Sequence, residues 1–275
     1  MSGKTALVVL GMHRSGTSSV AGALALLGAR APQTLMRPAD DNPKGFWESE
    51  VLAALNDRLL QAGGSTWHDW RRFDPSKVAD ALPAFRTEAA DKLTSEFGEA
   101  ALIVLKDPRI CRLFGFWRSV LEDCGYGVAV VSPVRSPAEV AASLMVRNDM
   151  SRSHALRLWL RHVLEAERAS RLQPRRFLTW PDFIADWRKA VDQTAQDLGV
   201  DLDRSPEAEA RVDAFLSAEL KHQHANENVP DQIRHTHQIL RAIARDGEHP
   251  DLQRALDNAR QAFDQACDLF ADAPS

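Results

Sequence analysis

The stretch Gly11 to Ser19, GMHRSGTSS, constrains this chain more than any other. It follows an apolar run, Ala6-Leu7-Val8-Val9-Leu10, that reads as a buried strand. It precedes Val20 to Leu27, which reads as a helix closed by Gly28. Strand, glycine-bounded turn and helix together make an anion cradle, because first-turn N–H groups and the helix dipole both favour negative charge. Gly11 and Gly16 permit a close approach that a side chain would block.

The cradle departs from an ATP-binding P-loop, which has lysine directly after its second glycine. Here Thr17 follows Gly16, and the cation is Arg14, two residues before it. A guanidinium fork suits tetrahedral oxyanions such as phosphate or sulfate. His13, Arg14, Ser15, Gly16, Thr17 and Ser18 are therefore the candidate donor-binding residues of the loop. Arg14-Ser15-Gly16-Thr17-Ser18 resembles the (K/R)SGT(T/S) donor loop of the sulfotransferase superfamily. Those enzymes take a sulfuryl group from 3′-phosphoadenosine-5′-phosphosulfate (PAPS) and release 3′-phosphoadenosine-5′-phosphate (PAP).

A second motif spans Val130 to Leu144, VVSPVRSPAEVAASL. Val128 to Val134 is a strand candidate; Ser136 can N-cap a helix, Pro137 suits its first turn, and Glu139 complements its dipole. Arg135 then stands at a strand's C-terminal end, where open α/β sheets bind ligands. Ser143 lies two helical turns after Ser136, on the same face. The pattern resembles the superfamily's 3′-phosphate site, and the resemblance assigns Arg135 and Ser143 to that phosphate.

Between these motifs, residues 101–105 read as another buried strand, ending in Lys106-Asp107-Pro108-Arg109. A strand-end lysine can offset charge that develops on a transferred group. Similar lysines, some within KDP, occur in the superfamily. Asp107 after an apolar strand also resembles the magnesium aspartate of nucleotide kinases, which keeps a kinase reading open.

Glu48 opens a helical stretch with apolar Val51, Leu52, Leu55, Leu59 and Leu60. A carboxylate there is either a dipole partner or a general base. In carbohydrate and tyrosylprotein sulfotransferases a glutamate at a comparable place deprotonates the acceptor. The resemblance therefore proposes Glu48 as base, with Asp107 second and His13 third. Pro108 occupies the place of the histidine of small-molecule sulfotransferases, which argues against a steroid or phenol acceptor.

Composition excludes other classes. A formal net charge of -4 gives no signal for nucleic acid, so function rests on local arginine and lysine clusters. Cys111, Cys124 and Cys267 lack metal spacing and suggest reduced thiols. No 18-residue apolar run is present and Met1-Ser2-Gly3-Lys4 leads into a strand, so neither a secretory signal nor a membrane anchor is expected. The expected protein is a cytoplasmic, bacterial-type relative.

The remainder reads mostly as helix: residues 76–97, 111–123, 137–149 and 152–172, a strand at 176–180, and a helix from 181 to 198. Residues 206–220, 231–246 and 249–271 are further helix candidates around a loop at 221–230. His222, His224, His235 and His237 cluster there, and a solvated face explains them better than a metal site. In the superfamily a late basic loop often closes over the donor, which makes Lys221 and His222 minor candidates. Tryptophans, 7 in all, are read as core or interface without individual roles.

The expected fold is a three-layer α/β domain with a mainly parallel sheet, strand 4–10 central, and P-loop-like topology. One domain of 275 residues is expected, with an α/β core at 1–205 and a helical extension at 206–275. The expected reaction moves sulfuryl from PAPS to an acceptor hydroxyl without a metal. Arg14 grips the 5′-phosphosulfate, Thr17 and Ser18 bond phosphate oxygens, Lys106 stabilises the transition state and Glu48 takes the proton. A glycan or glycolipid is the favoured acceptor, with protein tyrosine or a small metabolite as alternatives; homodimerisation stays open. The competing classes are a P-loop kinase and a non-catalytic nucleotide-binding protein.

Overall fold

The structure is a computed structural model that describes residues 3–39, 42, 44–216 and 228–269. Four parallel strands form one sheet in the order β2-β1-β3-β4: β1 (Lys4–Val9), β2 (Leu102–Lys106), β3 (Tyr126–Val134) and β4 (Arg175–Thr179). β1 is an inner strand, with Val8 paired to Leu105 on one side and Val130 on the other. The sheet and its helices form the expected three-layer α/β arrangement.

Alternation along β1 creates the layers. Ala6, Val8 and Leu10 pack on one face with α2 (Glu50–Ala62), α3 (Leu82–Phe97) and α4 (Ile110–Asp123). Leu7 and Val9 pack on the other with α1 (Thr17–Leu26), α7 (Trp180–Ala185), α8 (Trp187–Leu198) and α9 (Pro206–Leu216). Burial on both faces is why the strand is apolar throughout rather than alternating with polar residues. A third cluster joins the end of β3 and Phe177 of β4 to α5 (Pro137–Asn148), α6 (Arg152–Ser170), α10 (Asp231–Asp246) and α11 (Pro250–Leu269).

Three expected elements differ. The helix expected over 76–97 divides into a 3-10 turn, Pro75–Val78, and α3, because Pro83 belongs in a first turn and starts a new helix. The helix expected over 181–198 divides at Asp186, whose extended backbone (φ -151°) caps α8. The helix expected from Glu48 begins at Glu50, with Ser49 as N-cap accepting from the Leu52 N–H. Glu48 therefore precedes the helix and is not its first-turn dipole partner.

The chain passes from β1 to β2 on one side and then crosses to β3 and β4 on the other. The crevice at the carboxyl ends of β1 and β3 is thus the topological switch point, the place where such sheets hold ligands. The loop after β1, Lys106 at the end of β2 and Arg135 after β3 all lie along this edge.

Candidate functional site

Gly16 is the N-cap of α1 and has φ +86° in the left-handed region, as a non-glycine residue would resist. A Cβ there would also run into the Trp180 ring. A Cβ at Gly11 would lie 2.8 Å from Thr17 Cγ2. Both glycines are thus required by close approach. Among the described residues no side chain caps α1, which leaves its first-turn N–H groups available to an anion. Ser15 Oγ and His13 Nε2 are buried in the same loop without a hydrogen-bond partner among the described residues. Buried polar atoms of this kind normally mark a place for a ligand or water.

The two sequence motifs meet directly. Arg14 Nε donates to Ser143 Oγ at 2.7 Å, and Arg135 Nη1 donates to the Arg14 carbonyl at 3.2 Å. Arg14 has φ +69°, an unfavourable backbone state for a residue with a Cβ, held by these contacts. The Arg135 guanidinium lies 5.3 Å over the Trp180 ring, and its Nε is paired with Glu139 at 2.7 Å. Beside it lies a cleft of about 350 Å³, flanked by Trp180, Arg234, His237 and Arg241.

A second, buried cluster lies under the loop. Lys106 Nζ donates to Glu48 Oε1 (2.5 Å), the Phe46 carbonyl (3.0 Å) and Ser18 Oγ (3.2 Å). Ser18 in turn donates to the Phe46 carbonyl at 3.1 Å, which commits its hydroxyl to this cluster. Trp47, between Phe46 and Glu48, has φ +58°, so strained residues occur on both segments that converge here. Glu48 Oε2 lies 3.5 Å from Arg109 Nη1, and Glu48 is only 2% exposed. Burial raises the Glu48 carboxyl above the ordinary carboxylate range, while Lys106 and Arg109 pull it back down.

Asp107 is held on both oxygens. Arg109 binds Oδ1 through its backbone N–H and Nη1, and Asn56 Nδ2 binds Oδ2 at 2.9 Å. Asn56 Oδ1 accepts from Trp117 Nε1 at 2.7 Å, so the chain of bonds runs from the core to the site edge. His13 is packed edge-on against Trp67 at 4.8 Å. Desolvation, reinforced by nearby Arg109, Arg147 and Lys106, holds it neutral, well below the ordinary histidine range.

The arrangement thus brings His13, Arg14, Ser15, Gly16 and Thr17 together with Ser143 and Arg135 in one group, and places Ser18, expected to bond a phosphate oxygen, with Glu48, Lys106 and Asp107 in an adjoining one. Lys221, His222 and His224 lie outside the described residues. Sequence reasoning gave no role to Arg109, Asn56 and Trp180. A polar Asn56 on the apolar Leu52/Leu55/Leu59 stripe was the available signal for one of them. Trp180, expected as core, is buried and also forms the wall behind Gly16.

Fold and site together define an α/β protein with an anion cradle at a switch point, flanked by two arginines and a buried lysine–carboxylate pair. The sulfotransferase domain from the Synechococcus PCC 7002 olefin synthase is a similar solved structure. It has 16% identity and a TM-score of 0.42, with 94% of each chain covered. No family model matches the chain, and no curated protein matches it. Among the described residues no helix is long and apolar enough to cross a membrane.

Proposed function

We propose that this protein is a sulfotransferase that moves a sulfuryl group from PAPS to an acceptor hydroxyl. The observation that carries the reading is the joined pair of arginines: Arg14 on Ser143, and Arg135 on the Arg14 carbonyl. One arginine serves an anion at the α1 terminus and the other an anion beside Trp180, as a donor with two separate phosphate positions requires. The orphaned Ser15 hydroxyl supports the fit.

PAPS supplies the sulfuryl group. Arg14, Ser15 and the first N–H groups of α1 hold its 5′-phosphosulfate, and Arg135 holds its 3′-phosphate. Glu48 takes the acceptor proton as the acceptor oxygen bonds to sulfur and the bond from sulfur to the departing phosphate oxygen breaks, leaving PAP. Burial favours this role by raising the proton affinity of Glu48. Lys106, bonded to Glu48, turns to the departing oxygen and offsets its charge. Asp107 serves as scaffold, since Asn56 and Arg109 occupy its carboxylate. That occupancy speaks against the kinase alternative. A glycan or glycolipid remains the acceptor class that the Glu48 placement favours.

Thermal shift with PAP against Mg-ATP tests the donor. PAP should give the larger stabilisation, because a ligand that binds only the native state raises apparent stability. A larger shift with Mg-ATP would favour the kinase.

A further inference from the structure

A sizeable cavity lies apart from the anion cradle. About 520 Å³ opens between α4, α6, the Pro75–Val78 turn and the start of α3. Of the described residues, none of His13, Arg14, Glu48, Lys106 and Arg135 lines it. Its floor is apolar, with Leu59, Phe73, Val78, Leu82, Leu113 and Phe114. Its volume falls in the range of sites for small organic ligands, roughly 300–1,000 Å³. Gly115 of α4 also lines it, and a Cβ there would meet nothing within 4 Å. Glycine within a helix costs about 0.5–1 kcal/mol relative to alanine. The space beside it is open.

The rim is positive. Seven arginines line the cavity, against two carboxylates, Glu165 and Asp264. Those two are already matched: Glu165 by Arg112 (3.4 Å) and Arg161 (3.6 Å), and Asp264 by Arg161 (2.6 Å) and Arg260 (3.7 Å). Arg86 and Arg118 pair with Asp123 and Glu122 outside the cavity. Arg72 and Arg168 are exposed and form no hydrogen bond or ion pair with any described residue. Asp74 and Asp257 feel their charge without pairing with them, so a wholly apolar ligand would make no use of these two cations, and a small inorganic anion would leave the floor wet. A cation would be repelled.

We propose that this cavity is a second ligand site, for a medium-chain anionic amphiphile. The chain lies on the Phe73/Leu82/Phe114 floor and the anionic head group meets Arg72 and Arg168. This goes beyond the sulfuryl-transfer reading and does not depend on it.

Calorimetry on the full chain with decanoate, 1-decanol and decylamine, each below its aggregation concentration, tests it. Decanoate should bind at least tenfold more tightly than decylamine. Gly115→Trp, whose Cβ would meet nothing within 4 Å and whose ring would occupy the cavity, should weaken decanoate at least tenfold. Arg72→Glu/Arg168→Glu changes exposed side chains only, so it retains the fold even if the tryptophan variant does not. It should reverse the preference toward decylamine. Saturation with PAP should leave the decanoate affinity unchanged. Absence of decanoate binding, equal binding of the three probes, indifference to both variants, or competition with PAP would each overturn the proposal.

Discussion

Arg14 Nε and Ser143 Oγ, 129 positions apart in the chain, are 2.7 Å apart in space. The bond fixes the arginine of the β1 loop against a helix that starts after β3. Ser143→Ala should therefore weaken PAP binding by about 1.5–3 kcal/mol, the scale of a hydrogen bond to a charged group. Calorimetry checks this, and parental affinity in the variant would show that other contacts suffice to hold Arg14.

Arg135→Ala should weaken PAP by roughly 2–4 kcal/mol, the scale of truncating a buried charged contact. Adenosine 5′-phosphosulfate lacks the 3′-phosphate and should lose much less. Equal losses for the two ligands would sink the assignment of Arg135.

The Glu48–Lys106 pair calls for a paired design. Each side chain is only 3% exposed, so Glu48→Gln leaves a buried cation without its partner. Removing one member of a buried pair costs about 3–5 kcal/mol. Either single variant, Glu48→Gln or Lys106→Met, should be destabilised in denaturant titrations. The double variant should recover much of that stability and none of the turnover. Recovery of turnover together with stability would make the pair structural only.

Gly16→Ala meets two obstacles, the left-handed backbone and the Trp180 ring. The backbone alone costs about 1–2 kcal/mol. Thermal melts should show the variant destabilised by more than that, and Trp180→Leu in the same chain should relieve the excess. A variant as stable as the parent would mean that the loop can shift away from Trp180.

Acid should destabilise the fold well above the carboxylate range. His13 and His162 are buried, at 9% and 0% exposure, and both are held neutral by desolvation and nearby arginines. His162 is pushed down to about 3. Unfolded histidines bind a proton near pH 6.5 while the folded ones do not, so stability is lost as pH falls below that value. Each contributes at most about 2 kcal/mol between pH 7 and pH 5. Urea titrations should show the decline, and His162→Asn should reduce its slope by about half. A flat profile across this interval would contradict neutral burial of both.

Much of the site was legible because its parts are local. Strand, glycine turn and helix sit within residues 4–28, and the Arg135–Ser143 spacing within one strand-to-helix junction. What joins them is not local. Nothing in the sequence around Arg14 announces Ser143 as its acceptor, and the Trp180 wall behind Gly16 comes from the far edge of the sheet. Glu48 was visible as a carboxylate near a helix start, yet its partner Lys106 is 58 residues away. β1, β2 and β3 were readable as short apolar runs rich in Val, Leu and Ile that end in turn residues. The breaks at Asp186 and before α3 were missed, since helical composition continues through both.

The two arginine sites hang from β1 and β3, which are hydrogen-bonded neighbours. The strands, about 4.8 Å apart, bring the two loops side by side, and the bond from Arg135 to the Arg14 carbonyl ties one loop to the other. A substitution that shifts either loop therefore shifts the other as well. Loss of Arg135 would thus release the Arg14 loop as well as vacate the place beside Trp180.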